Sequence, residues 1–473
     1  MPTISFRDPG GFVLQTDSQV FRVVRGEEAA VLSVFLRSKC GRELIDGGEF
    51  ISSHEAAPSD RQRVLGAVGD RAQRWPDATV LEHQKIWFAS FPYEWPRAML
   101  REAARVTLDV STRLLASGYG LKDATPYNVL FRGADAIFVD ALSIEKRDPA
   151  DPIWRPMGQF LQTFLYPLLL EQATQVPAHE TMFGRREGLT PEDLYRRLSW
   201  AQRLQPANLR WASLPKWLSG KSRPAEASTY RARRIDPGAA RHMLGSTYRS
   251  LQRAIESIPV TQDTRSTWSD YAIHCHYEPG SRDAKRSFVS QVLTDLGPGR
   301  VLDLGANDGE YSRLAASAGH EVVACDIDAT AANRLWLRSK EENLAILPLV
   351  CNIANPSPGM GWGNSEQKPL LQRAQGYFDC VLMLALLHHL TVTERVPLPM
   401  VLDMASQMSR GSVVIEWVSP QDPFYQALVR GREELHRHDT LEAFEQQCQR
   451  RFRVVRKTSL MEGRRWLFHL AKT

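Results

Sequence analysis

The sequence lacks any apolar run long enough to cross a membrane. Its longest, FLQTFLYPLLL from Phe160 to Leu170, is interrupted by Gln162 and Pro167 and falls well short of the roughly 20 residues that a bilayer requires. The first residues, MPTISFRDPGG, contain neither a basic segment nor an apolar one, so no secretory signal is expected. We therefore predict a soluble, cytoplasmic protein without a membrane partner, and a buried helix at residues 160–170.

Cysteine is scarce and scattered. No two cysteines form a C-x-x-C pair, so the sequence predicts neither a zinc site nor a disulfide framework. We expect reduced thiols and no bound metal. The six cysteines are Cys40, Cys275, Cys325, Cys351, Cys380 and Cys448.

A strong overall charge is also missing, because the net charge is only +5. The excess is local: residues 201–250 hold ten basic residues against two acidic ones. Such a stretch could meet phosphates or an acidic partner, but it is more often a solvated linker face, and nucleic acid is not an expected partner. The arginines concerned are Arg223, Arg231, Arg233, Arg234 and Arg241.

A chain of 473 residues exceeds the size at which single cores stop growing, so two domains are expected. The clearest boundary lies between Lys216 and Gly238, where Ser, Pro, Gly and Arg replace the apolar periodicity. We predict an N-terminal domain over residues 1–215, a basic linker and helix over 216–265, and a C-terminal domain over 266–473.

The C-terminal domain shows the pattern of an α/β fold. Continuous apolar runs separated by helix-compatible sequence indicate a parallel sheet covered on both faces. Two further runs, FRVVRKTS and RRWLFHL, are joined by LMEG and indicate an antiparallel hairpin at the sheet edge. The prediction is a Rossmann-like, seven-stranded sheet with an antiparallel last hairpin. Its five other strands are RVLDLG, EVVACDI, LAILPLV, FDCVLML and SVVIEWV.

The stretch VLDLGANDGEYSRLA reads as a buried strand, a glycine turn and the start of a helix. In open parallel sheets a ligand binds at this place, where backbone amides are free to donate. The acidity of the turn would repel a pyrophosphate and suits a ligand that carries positive charge. Asp326, at the end of the next strand, lies where a carboxylate can accept hydrogen bonds from ribose. The acidic residues of the turn are Asp303, Asp308 and Glu310.

These features resemble motif I and the following acidic strand end of class I S-adenosylmethionine-dependent methyltransferases, over roughly Trp268 to the C-terminus. The resemblance implies that Asp303 and the glycine turn hold the methionyl part of S-adenosylmethionine, Asp326 the ribose and Asn352 the adenine. A tight turn without a ligand, or local capping by Asp326 and Asn352, are the alternatives. The implied cofactor-binding residues are Asp303, Gly305, Ala306, Asn307, Gly309, Asp326, Ile327, Asn352 and Ile353.

Three residues are candidates for catalysis, although positioning alone can supply much of the rate of methyl transfer. In the family, the segment after the fourth strand borders the transferable methyl group, and here it contains His388 and His389. Either imidazole could take a proton from a hydroxyl group, or the pair could cap the strand or pack under the cofactor. Glu416 lies in the apolar run VVIEWV, where burial without a partner is costly. It could pair with a histidine, a basic residue or substrate.

Longer stretches resemble a smaller group, the host-specific nodulation proteins and their relatives. They are CNIANPSPGMGW, HHLTVTERVPLP and IEWVSPQDPFYQALVRGRE. This resemblance implies a small-molecule or glycolipid substrate in a bacterial biosynthetic pathway. We take oxygen as the preferred acceptor atom. The loop from Asn355 to Gly363, which contains Trp362, is predicted to form part of the substrate pocket or its lid.

The N-terminal half contains a second pattern. In LKDATPYNVLFRGADAIFVDALSIE, Asp123, Asn128 and Asp140 have the spacing of a kinase catalytic loop and its metal-binding aspartate. Residues 20–200 resemble the aminoglycoside-phosphotransferase-like kinases, which implies an α+β domain. We predict a helix over residues 97–117 and a small hairpin formed by NVLF and IFVD.

The match to kinases departs at several points. A Gly-rich phosphate loop and a lysine-bearing strand are missing, and Lys122 stands where small-molecule kinases have glycine. We expect a kinase-like fold used for substrate binding or for forming a homodimer, with Asp123, Asn128 and Asp140 as a structural hydrogen-bond network. The alternatives are an accidental spacing in an unrelated helical domain, a bifunctional kinase–methyltransferase, and a kinase-like regulatory protein that only senses the nucleoside.

Overall fold

The computed structural model describes residues 3–5, 7–68, 75, 77–219, 234–260 and 279–473. It contains two compact units. The first comprises Met1–Tyr93 and Met99–Val260, and the second comprises Glu94–Ala98 and Thr261–Thr473. Most of the predicted basic linker, with Arg223, Arg231 and Arg233, lies outside the described residues. Across the described ranges, no helix combines the length and apolar character needed to cross a membrane.

A five-stranded antiparallel sheet dominates the start of the first unit, in the order β1-β2-β3-β5-β4. Its apolar face, which includes Phe12, Leu14 and Phe21, packs with Val64 and Val68 of a neighbouring helix. The residues of this cluster alternate along β2 (Phe12 and Leu14) and β3 (Phe21 and Val23), because successive side chains point to opposite faces of a sheet. The strands are β1 Thr3–Ile4, β2 Gly11–Gln15, β3 Val20–Val24, β4 Ser53–Glu55 and β5 Thr79–His83.

Two small antiparallel pairs follow in this unit. Strand β6 (Tyr119–Leu121) pairs with β9 (Ile144–Lys146), and β7 (Val129–Arg132) pairs with β8 (Asp135–Phe138). The second pair is the hairpin predicted from NVLF and IFVD, which is therefore confirmed. The main helices are Gly26–Arg37, Lys39–Asp46, Pro58–Val68, Arg97–Ala116, Ala178–Gly184, Pro191–Arg197, Trp200–Arg203, Leu214–Ser219 and Pro237–Glu256.

The predicted buried helix around residues 160–170 is present. It runs through Met157–Phe160, a π-helical turn at Leu161–Leu165 and Tyr166–Thr174. The wide turn directly precedes Pro167, whose ring would clash with the carbonyl group of Thr163 in a regular α-helix. Proline thus explains a local irregularity in an otherwise apolar helix.

The second unit contains a seven-stranded sheet in the order β12-β11-β10-β13-β14-β16-β15. Strands β10 to β14 are parallel to one another, whereas β16 runs antiparallel to both β14 and β15. The predicted sheet and its antiparallel last hairpin are confirmed. The strands are β10 Arg300–Leu304, β11 Glu321–Asp326, β12 Ile346–Val350, β13 Phe378–Met383, β14 Ser409–Val418, β15 Phe452–Leu460 and β16 Arg465–Lys472.

Helices connect the parallel strands and cover the sheet. Buried residues such as Val289, Val301, Val322 and Leu382 belong to one apolar cluster in which a helix and strands meet. The carboxyl ends of β10, β11, β12 and β13 share one edge because these strands are parallel. The helices are Pro279–Leu296, Glu310–Ser317, Ala329–Glu341, Leu370–Ala374, Leu398–Met408, Pro423–Val429 and Leu441–Cys448, with a π-helical turn at His389–Thr393.

Candidate functional site

The turn after β10 has a backbone that favours glycine. Gly305 and Gly309 have φ angles of 73° and 78°, and Asn307 has a φ of 50°. A Cβ atom at Gly309 would lie 2.2 Å from Cδ1 of Leu335. Both the left-handed backbone and the close packing therefore favour glycine at this position.

The amides of this turn are largely used within the protein. The N–H groups of Gly305 and Ala306 donate to the carbonyl oxygen of Cys325 at 2.9 and 3.1 Å. Asn307 N–H donates to Oδ2 of Asp326 at 2.7 Å. The expectation that the backbone amides are free for a ligand is wrong for these three residues, because they fix the turn to the neighbouring strand.

A cavity of about 320 Å³ opens at the carboxyl ends of the parallel strands. It is lined by eight of the nine residues predicted to bind the cofactor, whereas Gly309 lies beneath the turn against Leu335. The eight residues are Asp303, Gly305, Ala306, Asn307, Asp326, Ile327, Asn352 and Ile353. The folded chain thus brings together residues from three strand ends.

Asp303 is the most deeply buried carboxylate of this cavity, with 2% of its surface exposed. Ser312 Oγ donates a hydrogen bond of 2.6 Å to its Oδ2. Burial, and to a lesser extent the nearby Asp326, raises the pKa of Asp303 from 3.8 to about 6. Because the ionised form of this buried carboxylate is costly in the free protein, a cationic ligand beside it would stabilise that form.

Asp326 and Asn352 both make local capping contacts. Asp326 accepts the N–H group of Asp328 through Oδ1 at 2.8 Å, in addition to that of Asn307. Asn352 accepts the N–H group of Ala354 through its side-chain oxygen at 2.9 Å. The capping alternative is therefore realised, yet both side chains also line the cavity. Because each carboxylate oxygen has two lone pairs, Asp326 can still accept a ligand hydroxyl.

Two basic residues line the cavity that were not predicted from the sequence, Arg282 and Lys285. The ammonium group of Lys285 lies 2.6 Å from Oε2 of Glu416 and 5.1 Å from the ring centroid of Tyr311. Lys285 and Glu416 are 131 positions apart, so no local pattern could pair them. The lone acidic residue in an apolar strand was the available signal, since a buried charge needs a partner.

Glu416 belongs to a buried network of charged side chains and lies outside the described lining of the cavity. Its Oε1 is 3.3 Å from Nη1 of Arg465, and Arg465 Nε donates to Asp422 at 2.8 Å. Each of these carboxylates is fully shielded from solvent. Of the partners considered for Glu416, the structure thus places basic residues beside it.

The two histidines face different surroundings. Their ring centroids are 4.3 Å apart, but His389 lines the cavity whereas His388 lies outside its described lining, with 2% of its surface exposed. Burial lowers the pKa of His389 to about 4 and that of His388 to about 3. Both rings are therefore neutral at physiological pH.

The predicted substrate loop lies apart from the described lining of the cavity. Trp362 is 73% exposed, and the loop is held by a β-bridge between Met360 and Gln367. Ser357 Oγ donates a hydrogen bond to Glu94, which also forms an ion pair with Arg373. These contacts fix the loop within the second unit, and its role in substrate binding stays a prediction.

The acidic loop of the first unit is satisfied by its own protein partners. Arg22 Nη1 lies 3.1 Å from Oδ1 of Asp140. Gln159 donates to Asp123 Oδ1 at 2.8 Å, and Asn128 Nδ2 donates to the carbonyl oxygen of Asp123 at 3.4 Å. Burial raises the pKa of Asp140. The resemblance of this unit to kinases stays a prediction.

Residues 278–460 match a family model described as a methyltransferase domain. Across 98% of its length, the chain is 31% identical to the nodulation protein NoeA of Rhizobium meliloti (strain 1021), and the match covers 94% of that protein. This relationship includes both units.

Solved structures with some similarity include the N-methyltransferase NodS from Bradyrhizobium japonicum WM9. The two chains are 12% identical, the match covers 41% of this chain and 98% of NodS, and the TM-score is 0.31. Magnesium protoporphyrin IX methyltransferase from Synechocystis PCC 6803 shows 14% identity, 48% and 94% coverage, and a TM-score of 0.29. Similarities this low do not bear on the activity of the chain.

Proposed function

Because the chain belongs to the family of the nodulation protein NoeA and contains a methyltransferase domain, we propose that it transfers a methyl group from S-adenosylmethionine to a hydroxyl group. The acceptor is a small molecule or glycolipid of a bacterial biosynthetic pathway, and the reaction takes place in the cytoplasm. The observation that carries the proposal is the convergence of Asp303, Asp326 and Lys285 on one cavity at the sheet edge.

The side chains of this cavity suit each part of the cofactor. Asp303 would hold the ammonium group, and Lys285 or Arg282 the carboxylate, since each pair brings opposite charges together. Asp326 would accept the ribose hydroxyls. The adenine would meet Asn352 and the apolar side chains of Ile327 and Ile353, and the 54% exposure of Ile327 leaves a surface for it.

When bound, S-adenosylmethionine supplies an electrophilic methyl group on a sulfonium. His389 is the predicted catalytic residue that borders the cavity, and its low pKa makes it a weak base. A weak base is sufficient for a hydroxyl group, because the oxygen becomes strongly acidic as its bond to the methyl group forms. An amine that has already lost its proton to water would need no such base, so a role for His389 in turnover would favour oxygen as the acceptor atom.

We expect His389→Ala to lower turnover by about 10- to 100-fold, the range of a modest acid–base contribution, while cofactor affinity changes little. His388 lies outside the described lining of the cofactor cavity. His388→Ala therefore tests whether this histidine takes part in the reaction. Steady-state rates and calorimetric titration with S-adenosylhomocysteine check both variants. An unchanged rate for His389→Ala would assign that histidine to packing.

A protein that only senses the nucleoside is the principal rival. Cell extract treated with the chain and methyl-labelled S-adenosylmethionine, followed by untargeted mass spectrometry, distinguishes the two. A labelled product that depends on Asp303 supports the enzyme. Binding of S-adenosylhomocysteine without any labelled product would favour the sensor. Light scattering on the same preparation tests for a homodimer.

A further inference from the structure

The methyltransferase unit contains a second cavity, of about 340 Å³. The two cavities share a wall, the segment that includes the π-helical turn His389–Thr393. His388 and Thr391 line the second cavity, whereas His389 and Thr393 line the cofactor cavity. This alternation is expected when side chains leave opposite faces of a helical segment. The second cavity is therefore separate from the cofactor site.

Buried polar atoms around this cavity lack hydrogen-bond partners among the described residues. They are both ring nitrogens of His388 and Oε1 of Gln447. An unsatisfied buried polar group is costly, and each such group in a folded protein calls for an explanation. A neutral imidazole offers one donor and one acceptor, and the Gln447 oxygen offers an acceptor. A hydroxyl group, which both donates and accepts, matches these atoms.

A third acceptor lies on the same cavity. Tyr425 Oη donates to Oδ2 of Asp439 at 2.5 Å, and His436 Nδ1 lies 2.9 Å from the same oxygen. Both of these contacts within the described part of the chain use Oδ2, and the Asp439 side chain is 39% exposed, so Oδ1 can accept from a further donor. All three residues line the cavity. The arrangement provides a second point of contact for a ligand hydroxyl.

Aromatic side chains form an apolar part of the wall. Trp417 and Phe444 lie with ring centroids 6.5 Å apart, and both line the cavity. A flat or weakly polar ligand face gains from burial against such rings. Apolar rings beside unpaired acceptors suit a compound that has an apolar face and hydroxyl groups at its edge.

The charges of the lining indicate a neutral ligand. Arg395 and Arg432 line this cavity and would repel an ammonium group, and an anionic group has no donor for the unpaired Oε1 of Gln447. We propose that the second cavity binds a neutral, polyhydroxylated ring of the sugar class, with hydroxyl groups bonded to His388, Gln447 and Asp439. The site acts in recognition, and it requires neither methyl transfer nor cofactor binding.

The test compares three compounds that share one ring and anomeric group and differ in charge: methyl β-glucopyranoside, methyl β-glucosaminide and methyl β-glucuronide. Saturation-transfer NMR with the full chain measures binding of each at millimolar concentration. We expect transfer to the neutral glucoside, with weaker signals for the two charged rings. Preference for either charged ring would contradict the proposed ligand class, and no transfer to any of the three compounds would overturn the proposal.

Gln447→Leu removes the unpaired oxygen at nearly constant volume. We expect glucoside binding to weaken about three- to tenfold, the effect of one uncharged hydrogen bond. The matched control is Gln446→Leu. Gln446 is next to Gln447 on the same helix, but it is exposed and outside the described lining of the cavity. Equal binding by both variants would exclude Gln447 from the site and overturn the proposal.

His388→Leu provides an independent check. Removing two unpaired nitrogens from a buried position should leave the melting temperature unchanged or higher, while glucoside binding is lost. A lower melting temperature together with unchanged glucoside binding would mean that His388 is a packing residue and would contradict the site. Asp303→Asn should leave glucoside binding intact, so failure of this proposal is distinguishable from failure of the proposed methyl transfer.

Discussion

The chain contains two acidic loops that differ in how their carboxylates are satisfied. In the first unit, Arg22 neutralises Asp140, and Gln159 donates to Asp123. In the second unit, Asp303 lines an open cavity and has a pKa raised to about 6. Burial raises the pKa of both Asp140 and Asp303. Asp140 has a cationic partner within the protein, whereas Asp303 lies at a cavity where a ligand can supply one.

The largest expected effect comes from removing the charge of the open loop. Asp303→Asn should weaken binding of S-adenosylhomocysteine by about 100-fold, since a charge-assisted hydrogen bond contributes up to about 3 kcal/mol. Calorimetric titration measures this loss. The free energy of unfolding should not fall, because an amide oxygen can still accept from Ser312.

Asp123→Asn is the matched control from the other loop. It should leave the affinity for S-adenosylhomocysteine unchanged, because Asp123 belongs to the first unit and hydrogen-bonds to Gln159. An equal loss of affinity in both variants would remove the distinction between the two loops.

The next largest effect concerns the backbone of the glycine turn after β10 and is measured as a change in the free energy of unfolding. Gly309→Ala should lower the free energy of unfolding by about 2 kcal/mol more than Gly297→Ala, measured by urea denaturation. Both glycines have a positive φ, but a Cβ atom at Gly297 meets nothing within 4 Å, whereas one at Gly309 meets Leu335. The difference isolates the packing contribution. Equal losses would show that Leu335 adapts without cost.

The pH dependence of cofactor binding sharpens the comparison further. Asp303 must be ionised to attract an ammonium group, and its pKa in the free protein is about 6. Affinity for S-adenosylhomocysteine should be full well above pH 6 and should fall as the pH drops through 6, by up to about tenfold per unit below it. Asp303→Asn should lack this component. An identical pH profile in the variant would assign the titration to another group.

The smallest effect concerns the closed loop. Arg22→Gln should lower the free energy of unfolding by roughly 1 kcal/mol, because the Asp140 carboxylate loses its cationic partner but keeps partial contact with water. Adding Asp140→Asn should recover part of this loss, as thermal denaturation of the single and double variants would show. Independent, additive effects would mean that the observed ion pair contributes nothing.

The local features of the second unit could be predicted from the sequence. The strands β10 to β14 are continuous apolar runs, and the turn at Gly305 and Gly309 depends on glycine at fixed positions. Such patterns involve residues that are close together in the chain, so they can be recognised without knowledge of the fold. The last hairpin was predictable for the same reason, because its two strands are neighbours in the chain.

The long-range contacts could not be predicted. Lys285, on the helix Pro279–Leu296, pairs with Glu416 on β14, and Arg22 pairs with Asp140 from a distant part of the sequence of the first unit. The adjacent histidines looked equivalent in the sequence, yet His388 and His389 line different cavities. The hydrogen bonds from the turn amides to the carbonyl oxygen of Cys325 could not be predicted either, because they depend on the register between β10 and β11.

A crystal structure of the chain grown with S-adenosylhomocysteine tests the central claim most directly. The account predicts the amino group of the compound beside Asp303 and its ribose beside Asp326, in the cavity at the carboxyl ends of the parallel strands. A compound bound elsewhere, or a cavity filled by the protein's own side chains at saturating ligand, would contradict it.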